Sequence, residues 1–167
     1  MNSTSHLDAV DVVEADLERV DHQRDVLALT AAYALDPMGN DGPLPSEVLE
    51  RLIPGLKSHP TTLVFLAYKN QQAVGLATCF RGFSTFAARP LINIHDLVVL
   101  PDHRGMGIGH RLLAAVEQCA RATGCCKVTL EVQENNTKAR RTYDQAGFSQ
   151  GLYSPTTGGS LYYWKTL

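Results

Sequence analysis

The chain of 167 residues is short of several things, and each shortage excludes a class of function. No apolar run approaches the roughly 20 residues needed to span a bilayer, so no membrane role is expected. No excess of either charge is present. Lys and Arg number 15 against 17 Asp and Glu, for a formal net charge of −2. A nucleic-acid role, which shows as a basic excess, is therefore not expected. The N-terminus, Met1-Asn2-Ser3-Thr4-Ser5-His6, has no basic region followed by an apolar one, so no secretory signal is read there. Cysteine is sparse. Cys79, Cys119, Cys125 and Cys126 form no CxxC pair, and adjacent Cys125 and Cys126 cannot easily bridge each other. Reduced thiols in a cytoplasmic protein follow. The six histidines show no metal-ligand spacing, so no metal is expected. No internal repeat or low-complexity tract is present. What remains is 44% hydrophobic and long enough for one domain with a real core.

The segments fall into a readable order. Residues 1–8 are expected to fray, and 9–167 to form a single domain. A first strand is read at Ala9–Ala15 and a first helix at Asp16–Leu35, with Leu17, Val20, Val26, Leu27, Leu29 and Tyr33 at helical spacing. Asp36 to Pro45 holds two glycines and three prolines and reads as a loop. Ser46 can cap a second helix over Glu47–Leu56, with Pro54 bending it or ending it early. Thr62–Tyr68 and Ala73–Phe80 form a hairpin, and Leu91–Leu100 a fourth strand. A helix at Gly107–Ala122 leads to a fifth strand, Lys127–Val132, and Gly147–Leu152 and Leu161–Thr166 read as the last two. Strands followed by a strand–helix–strand–helix run imply a mixed α/β sheet.

One stretch carries chemistry. After Val98-Val99-Leu100-Pro101-Asp102 come His103, Arg104, Gly105, Met106, Gly107, Ile108, Gly109 and His110, and then a helix. Three glycines at alternate positions let a ligand approach the backbone closely. The first turn of a helix has unpaired N–H groups and the positive end of the dipole, which suits a pyrophosphate. A nucleoside triphosphate loop needs Gly-Lys-Ser/Thr, whereas Gly109 is followed by His110 and Arg111. The dinucleotide pattern GxGxxG fails from Gly105, which meets His110, and from Gly107, which meets Leu112. Arg-x-x-Gly-x-Gly, filled by Arg104, Gly107 and Gly109, remains.

A second motif lies downstream. It runs Asn136-Thr137-Lys138-Ala139-Arg140-Arg141-Thr142-Tyr143-Asp144-Gln145-Ala146-Gly147-Phe148. Asn136 can cap a helix and Gly147 can end it in the left-handed conformation. Asn136, Ala139 and Tyr143 fall at steps of three and four, on one helical face.

These two motifs, in this order, resemble the acetyl-CoA and Asn…Tyr…Gly-Phe signatures of the GNAT acetyltransferase superfamily. The resemblance runs from about Val13 to the C-terminus and is closest to the spermidine/spermine acetyltransferase-like branch. That branch often has a glutamate where His95 stands here. The resemblance implies the GNAT fold: a mixed seven-stranded sheet with about four flanking helices, whose fourth and fifth strands splay apart to admit CoA. It implies acetyl-CoA as co-substrate. The backbone of Leu97, Val98 and Val99 would hold the acetyl oxygen and pantetheine arm. Arg104, Gly105, Met106, Gly107, Ile108, Gly109 and His110 would hold the pyrophosphate, with Asn136, Ala139 and Tyr143 completing the cofactor site. Tyr143 would protonate the departing thiolate.

The general base is left between His95, attractive because imidazoles as a class exchange protons near neutral pH, Glu131 acting through water, and a water chain with no single base. His95 and Asp96 are adjacent on a strand and should point to opposite faces, which argues against a His–Asp dyad. Tyr33 and Asp36 align with amine-binding positions of the branch, joined by His95 and Glu131, and Phe83, Phe86 and Tyr153 can wall an acceptor pocket. The implied activity is acetylation of a primary amine on a small molecule. A peptide or protein acetyltransferase and a non-catalytic acyl-CoA sensor are the alternatives. A homodimer through the C-terminal strands, with Leu161 to Trp164, follows from the resemblance as well.

Overall fold

The computed structural model describes residues 9–151, 155–156, 158 and 162–167. Among them, five strands and four α-helices alternate in the order β1 (Val10–Glu14), α1 (Val20–Ala34), α2 (Ser46–Ser58), β2 (Thr62–Lys69), β3 (Gln72–Ser84), β4 (Arg89–Val99), α3 (Ile108–Ala122), β5 (Val128–Leu130) and α4 (Thr137–Gln145). The strands lie in one sheet in sequence order. β1 to β4 are antiparallel, and β5 joins β4 in parallel through α3.

Both faces of the sheet are covered. This is why β2 reads Leu63-Val64-Phe65-Leu66-Ala67 without alternation, since every one of these residues is buried. Leu63, Phe65, Ala77, Cys79, Ile92 and Ile94 face α3, meeting Ile108, Leu112, Leu113, Val116 and Ala120. Val64, Leu66, Leu76 and Val98 face α1 and α2, meeting Val26, Leu29 and Leu56. Gly75 lets α3 come close. A Cβ there would lie 3.1 Å from Leu112 Cδ1 and 3.2 Å from Ile108 Cγ2. The start of α3 is thereby pressed onto the centre of the sheet.

The register of β4 is interrupted once. Thr78 pairs with Asp96 and Cys79 with Ile94, which leaves His95 as the extra residue of a β-bulge. The faces exchange across it. Ile92 and Ile94 pack on the α3 side before it, and Leu97 and Val99 on that same side after it. β5 pairs with β4 only at Ile92, Asn93 and Ile94. Beyond the bulge, the edge of β4 over Leu97–Val99 that faces away from β3 pairs with no strand among the described residues, and β4 and β5 part.

Several expectations are corrected. The described sheet has five strands, not seven. Residues 147–151 and 162–167 are not strands, and residues 1–8, Leu152 to Ser154, Thr157 and 159–161 lie outside the described residues. Ser46 is the first residue of α2 and caps nothing, with Pro45 before it. Pro54 does not end α2. It sits one turn from the C-terminus, where only one hydrogen bond is lost, and the helix closes with the His59 amide and the Ser58 hydroxyl both donating to the Gly55 carbonyl.

Leu112 is wholly buried between α3 and the sheet. Leu112→Ala should lower the unfolding free energy by about 2–5 kcal/mol, read from urea unfolding. A loss under about 1 kcal/mol would mean that α3 is not held by this contact.

Candidate active site

The loop between β4 and α3 is built to leave its amides free. A short 3-10 turn at Pro101–His103 turns the chain, and Gly105 and Gly107 then take left-handed conformations with φ of 78° and 76°. Residues with a Cβ avoid that region. Nothing lies within 4 Å of where a Cβ would sit on either glycine. The first amide of α3 to find a helical acceptor is Arg111, which donates to the Gly107 carbonyl. Among the described residues, the amides from Gly105 to His110 donate to no partner in the fold. Unpaired donors at the positive end of a fifteen-residue helix fit an anion such as a pyrophosphate.

α4 stands beside this loop. A Cβ on Gly109 would lie 3.7 Å from Thr142 Cγ2. The Ala139 amide donates to Asn136 Oδ1 at 3.2 Å, so Asn136 caps the helix as its sequence position suggests. Gly147 ends it at φ 85°. Tyr143 is buried against the α3 side of the core, its ring 6.0 Å from that of Phe148. Burial, with Tyr33 nearby as the lesser cause, pushes its phenol up to about 12. Tyr33 is itself raised, by burial first and then by the charges of Asp96 and Asp36. The two tyrosines and two carboxylates therefore belong to one electrostatic neighbourhood.

The β4 bulge brings His95 and Asp96 together, against the expectation that they face opposite ways. The His95 ring lies 5.6 Å from that of Phe80, which packs on the α1–α2 side. Asp96 pairs across from Thr78 on β3 and acts on Tyr33, which is on that same side. Strict alternation fails here because the extra residue breaks the two-residue period. Asp96 is half-buried, and its carboxylate accepts no hydrogen bond among the described residues. Burial pushes its pKa up, opposed by the neighbouring His95. Asp96 is the residue that sequence reasoning missed. A register shift on a neighbouring strand leaves no trace in local composition.

Other expected residues fall elsewhere. Leu97, Val98 and Val99 form the unpaired edge of β4. Glu131 is exposed one residue past the end of β5, and Phe83 and Phe86 are exposed on the β3–β4 hairpin. Tyr153 lies outside the described residues. Asp36 is occupied. Its Oδ1 accepts from the Met38 amide at 2.8 Å and its Oδ2 from Arg104 Nη2 at 2.6 Å, so it presents no free oxygen to an amine. Burial pushes the Cys79 thiol up to about 12, which removes it as a nucleophile. No group of His, Cys, Asp and Glu among the described residues could hold a metal ion. No described helix is long and apolar enough to cross a membrane.

Residues 27–148 match the family model described as the acetyltransferase (GNAT) family. An uncharacterized N-acetyltransferase of Bacillus subtilis is 30% identical over 57% of this chain and 63% of its own length. An aminoalkylphosphonate N-acetyltransferase of Salmonella typhimurium is 35% identical over 53% of this chain and 57% of its own. The chain thus spans less than two thirds of the curated relatives it matches most strongly. Among solved structures, the aminoglycoside N-acetyltransferase AAC(6')-Iy in complex with CoA superposes with a TM-score of 0.72 at 16% identity, covering 95% of each chain. At that identity it shows the fold alone.

Two measurements probe this geometry. Asn136→Ala should lower the unfolding free energy by about 1 kcal/mol through loss of the α4 cap. The Asp36 carboxyl is held below its ordinary value by the Met38 amide first and Arg104 second. Its contribution to stability is then full above the unfolded pKa of about 3.9 and is lost as pH falls through the lower folded value. Asp36→Asn should flatten the fall in thermal stability below about pH 4, relative to the unsubstituted protein.

Proposed function

The chain belongs to the acetyltransferase (GNAT) family, and from that premise we propose that it moves an acetyl group from acetyl-CoA to a primary amine of a small molecule. One observation carries the reading. The free amides of Gly105 to His110 abut the helix that holds a buried, protonated tyrosine. Acetyl-CoA supplies the activated acetyl group as a thioester. The loop amides hold its pyrophosphate, and the open edge of β4 over Leu97–Val99 offers backbone groups to the pantetheine arm and the acetyl oxygen. Asn136 and Ala139 shape the wall that α4 contributes.

Tyr143 donates its proton to the departing sulfur. With its pKa pushed up to about 12 by burial, the phenol stays protonated across the neutral range, which suits an acid and not a base. An ammonium has no lone pair, so the acceptor must lose a proton before it attacks. Asp96 lies where a cation is drawn in, since its half-buried carboxylate has no hydrogen-bond partner among the described residues. His95 beside it is exposed, so its imidazole can pass a proton to water. Tyr33 faces the same neighbourhood and borders the acceptor. Glu131, exposed past β5, stands at the rim. The acceptor named for the aminoalkylphosphonate acetyltransferase supports a small-molecule amine as the class.

Thiol release from acetyl-CoA with a panel of diamines, amino acids, aminoalkylphosphonates and aminoglycosides tests the reading. Tyr143→Phe should lower kcat by about 100-fold or more with little change in acetyl-CoA affinity. An unchanged kcat would remove Tyr143 as the acid. Asp96→Asn should raise the KM for the acceptor and flatten the acidic limb of kcat/KM against pH. An unaltered limb would leave deprotonation to solvent.

A further inference from the structure

The arginine of the phosphate loop is engaged by groups of the protein itself. Arg104 Nε donates to the Val99 carbonyl at 2.9 Å, and Nη2 donates to Asp36 Oδ2 at 2.6 Å. The two partners are 68 positions apart, and the Asp36 side chain is only 17% exposed. The guanidinium thus spans from the open end of β4 to the turn between α1 and α2.

That turn is organised around Asp36. Its carbonyl accepts from the Gly39 and Asp41 amides, its Oδ1 from the Met38 amide, and its own amide donates to the Tyr33 carbonyl. The Tyr33 hydroxyl donates to the Met38 carbonyl at 3.4 Å. Gly39 packs so tightly that a Cβ would lie 2.2 Å from the Tyr33 carbonyl oxygen. Tyr33 in turn influences Tyr143 and feels Asp96. Direct contacts therefore run from Arg104, beside the loop glycines, through Asp36 to Tyr33, which lies within electrostatic reach of Tyr143 and Asp96.

We propose that Arg104 and Asp36 form a brace that makes the phosphate loop and the α1–α2 turn one mechanical unit, so that binding of CoA orders the acceptor side of the site. Arg104 and Asp36 are positioning residues here and touch neither reacting group. The inference rests on the reading of Gly105 to His110 as the pyrophosphate site. It revises two roles that the family resemblance implies, phosphate contact for Arg104 and amine contact for Asp36. A guanidinium already held by a carboxylate and a carbonyl contributes more by fixing loop geometry than by turning to a phosphate, because turning would break both of its bonds within the fold.

Amide hydrogen exchange of the full chain, with and without free CoA, tests this together with CoA affinity by calorimetry. The proteins are the unsubstituted chain, Asp36→Asn, Arg104→Gln and the double variant. In the unsubstituted chain, CoA should slow exchange over residues 105–112 and also, by about fivefold or more, over residues 36–42. Each single variant should keep the first effect and lose the second, and the double variant should be no worse than either. A variant that merely loosens the turn would speed its exchange equally with and without CoA, so the ligand-dependent difference separates coupling from stability. Protection confined to residues 105–112 in the unsubstituted chain would overturn the brace and leave the CoA reading intact. So would a loss of CoA affinity in Arg104→Gln that Asp36→Asn does not share, since that identifies a direct phosphate ligand. No CoA binding to the unsubstituted chain would overturn both readings. If Arg104→Gln fails to fold, Arg104→Lys keeps the charge but not the fork, and retained coupling there would overturn the bidentate brace.

Discussion

The site depends on one inserted residue in β4. With His95 as the extra residue, the strand ceases to match its neighbour on one side and turns its remaining edge outward. β5 follows β4 for three residues and no further. The joint orientation of His95 and Asp96 follows from that single irregularity, and β4 and β5 part beside it. The cost is modest, because both strands are anchored in the well-packed half of the sheet through Ile92 and Ile94.

Much of this was legible in the residues, and the failures have physical reasons. The helix starts and stops of α3 and α4 were readable because glycine geometry and an Asn cap are local rules. Asn136 and Gly147 behave as those rules say. The hairpin of β2 and β3 was readable from its composition, although β3 runs on to Ser84. The bulge was not readable. It is fixed by the register against β3, and the run Ile92-Asn93-Ile94-His95-Asp96-Leu97 alternates on both sides of it without marking the shift. Asp96 was therefore assigned to the wrong face and passed over. The contact between Asp36 and Arg104 was equally invisible, since it joins segments far apart in sequence whose roles were judged one at a time. The family resemblance supplied positions for both residues, but not the fact that they occupy each other.

The electrostatics of the site make a consistent whole in the proposed reaction. Amine acetylation asks for an acid that stays protonated at the sulfur and a negative group that attracts the ammonium. The fold separates the two by burial and by partner. Tyr143 lies in the core on the α3 side, where removing water stabilises the neutral phenol. Asp96 lies across the sheet with no hydrogen-bond partner among the described residues, so in the proposed reaction its charge is available to an incoming cation. Asp36, by contrast, is neutralised by Arg104 and by the Met38 amide, so one carboxylate serves the scaffold while the other remains free.

This division explains why an ion pair is placed at the join between the two ligand sites. An exposed pair contributes little to stability, and Arg104 is nearly half exposed. Stability alone is then a weak reason for the contact. Its geometry offers a better one. The phosphate loop takes its shape from left-handed glycines, which impose few restraints of their own, and such a loop needs an external tether to hold its amides on target. The tether runs to the end of β4 and to the α1–α2 turn, the two elements that border the open edge of the sheet. One side chain thus ties the loop to both, and in the proposed coupling a ligand that fixes the loop acts on the turn as well.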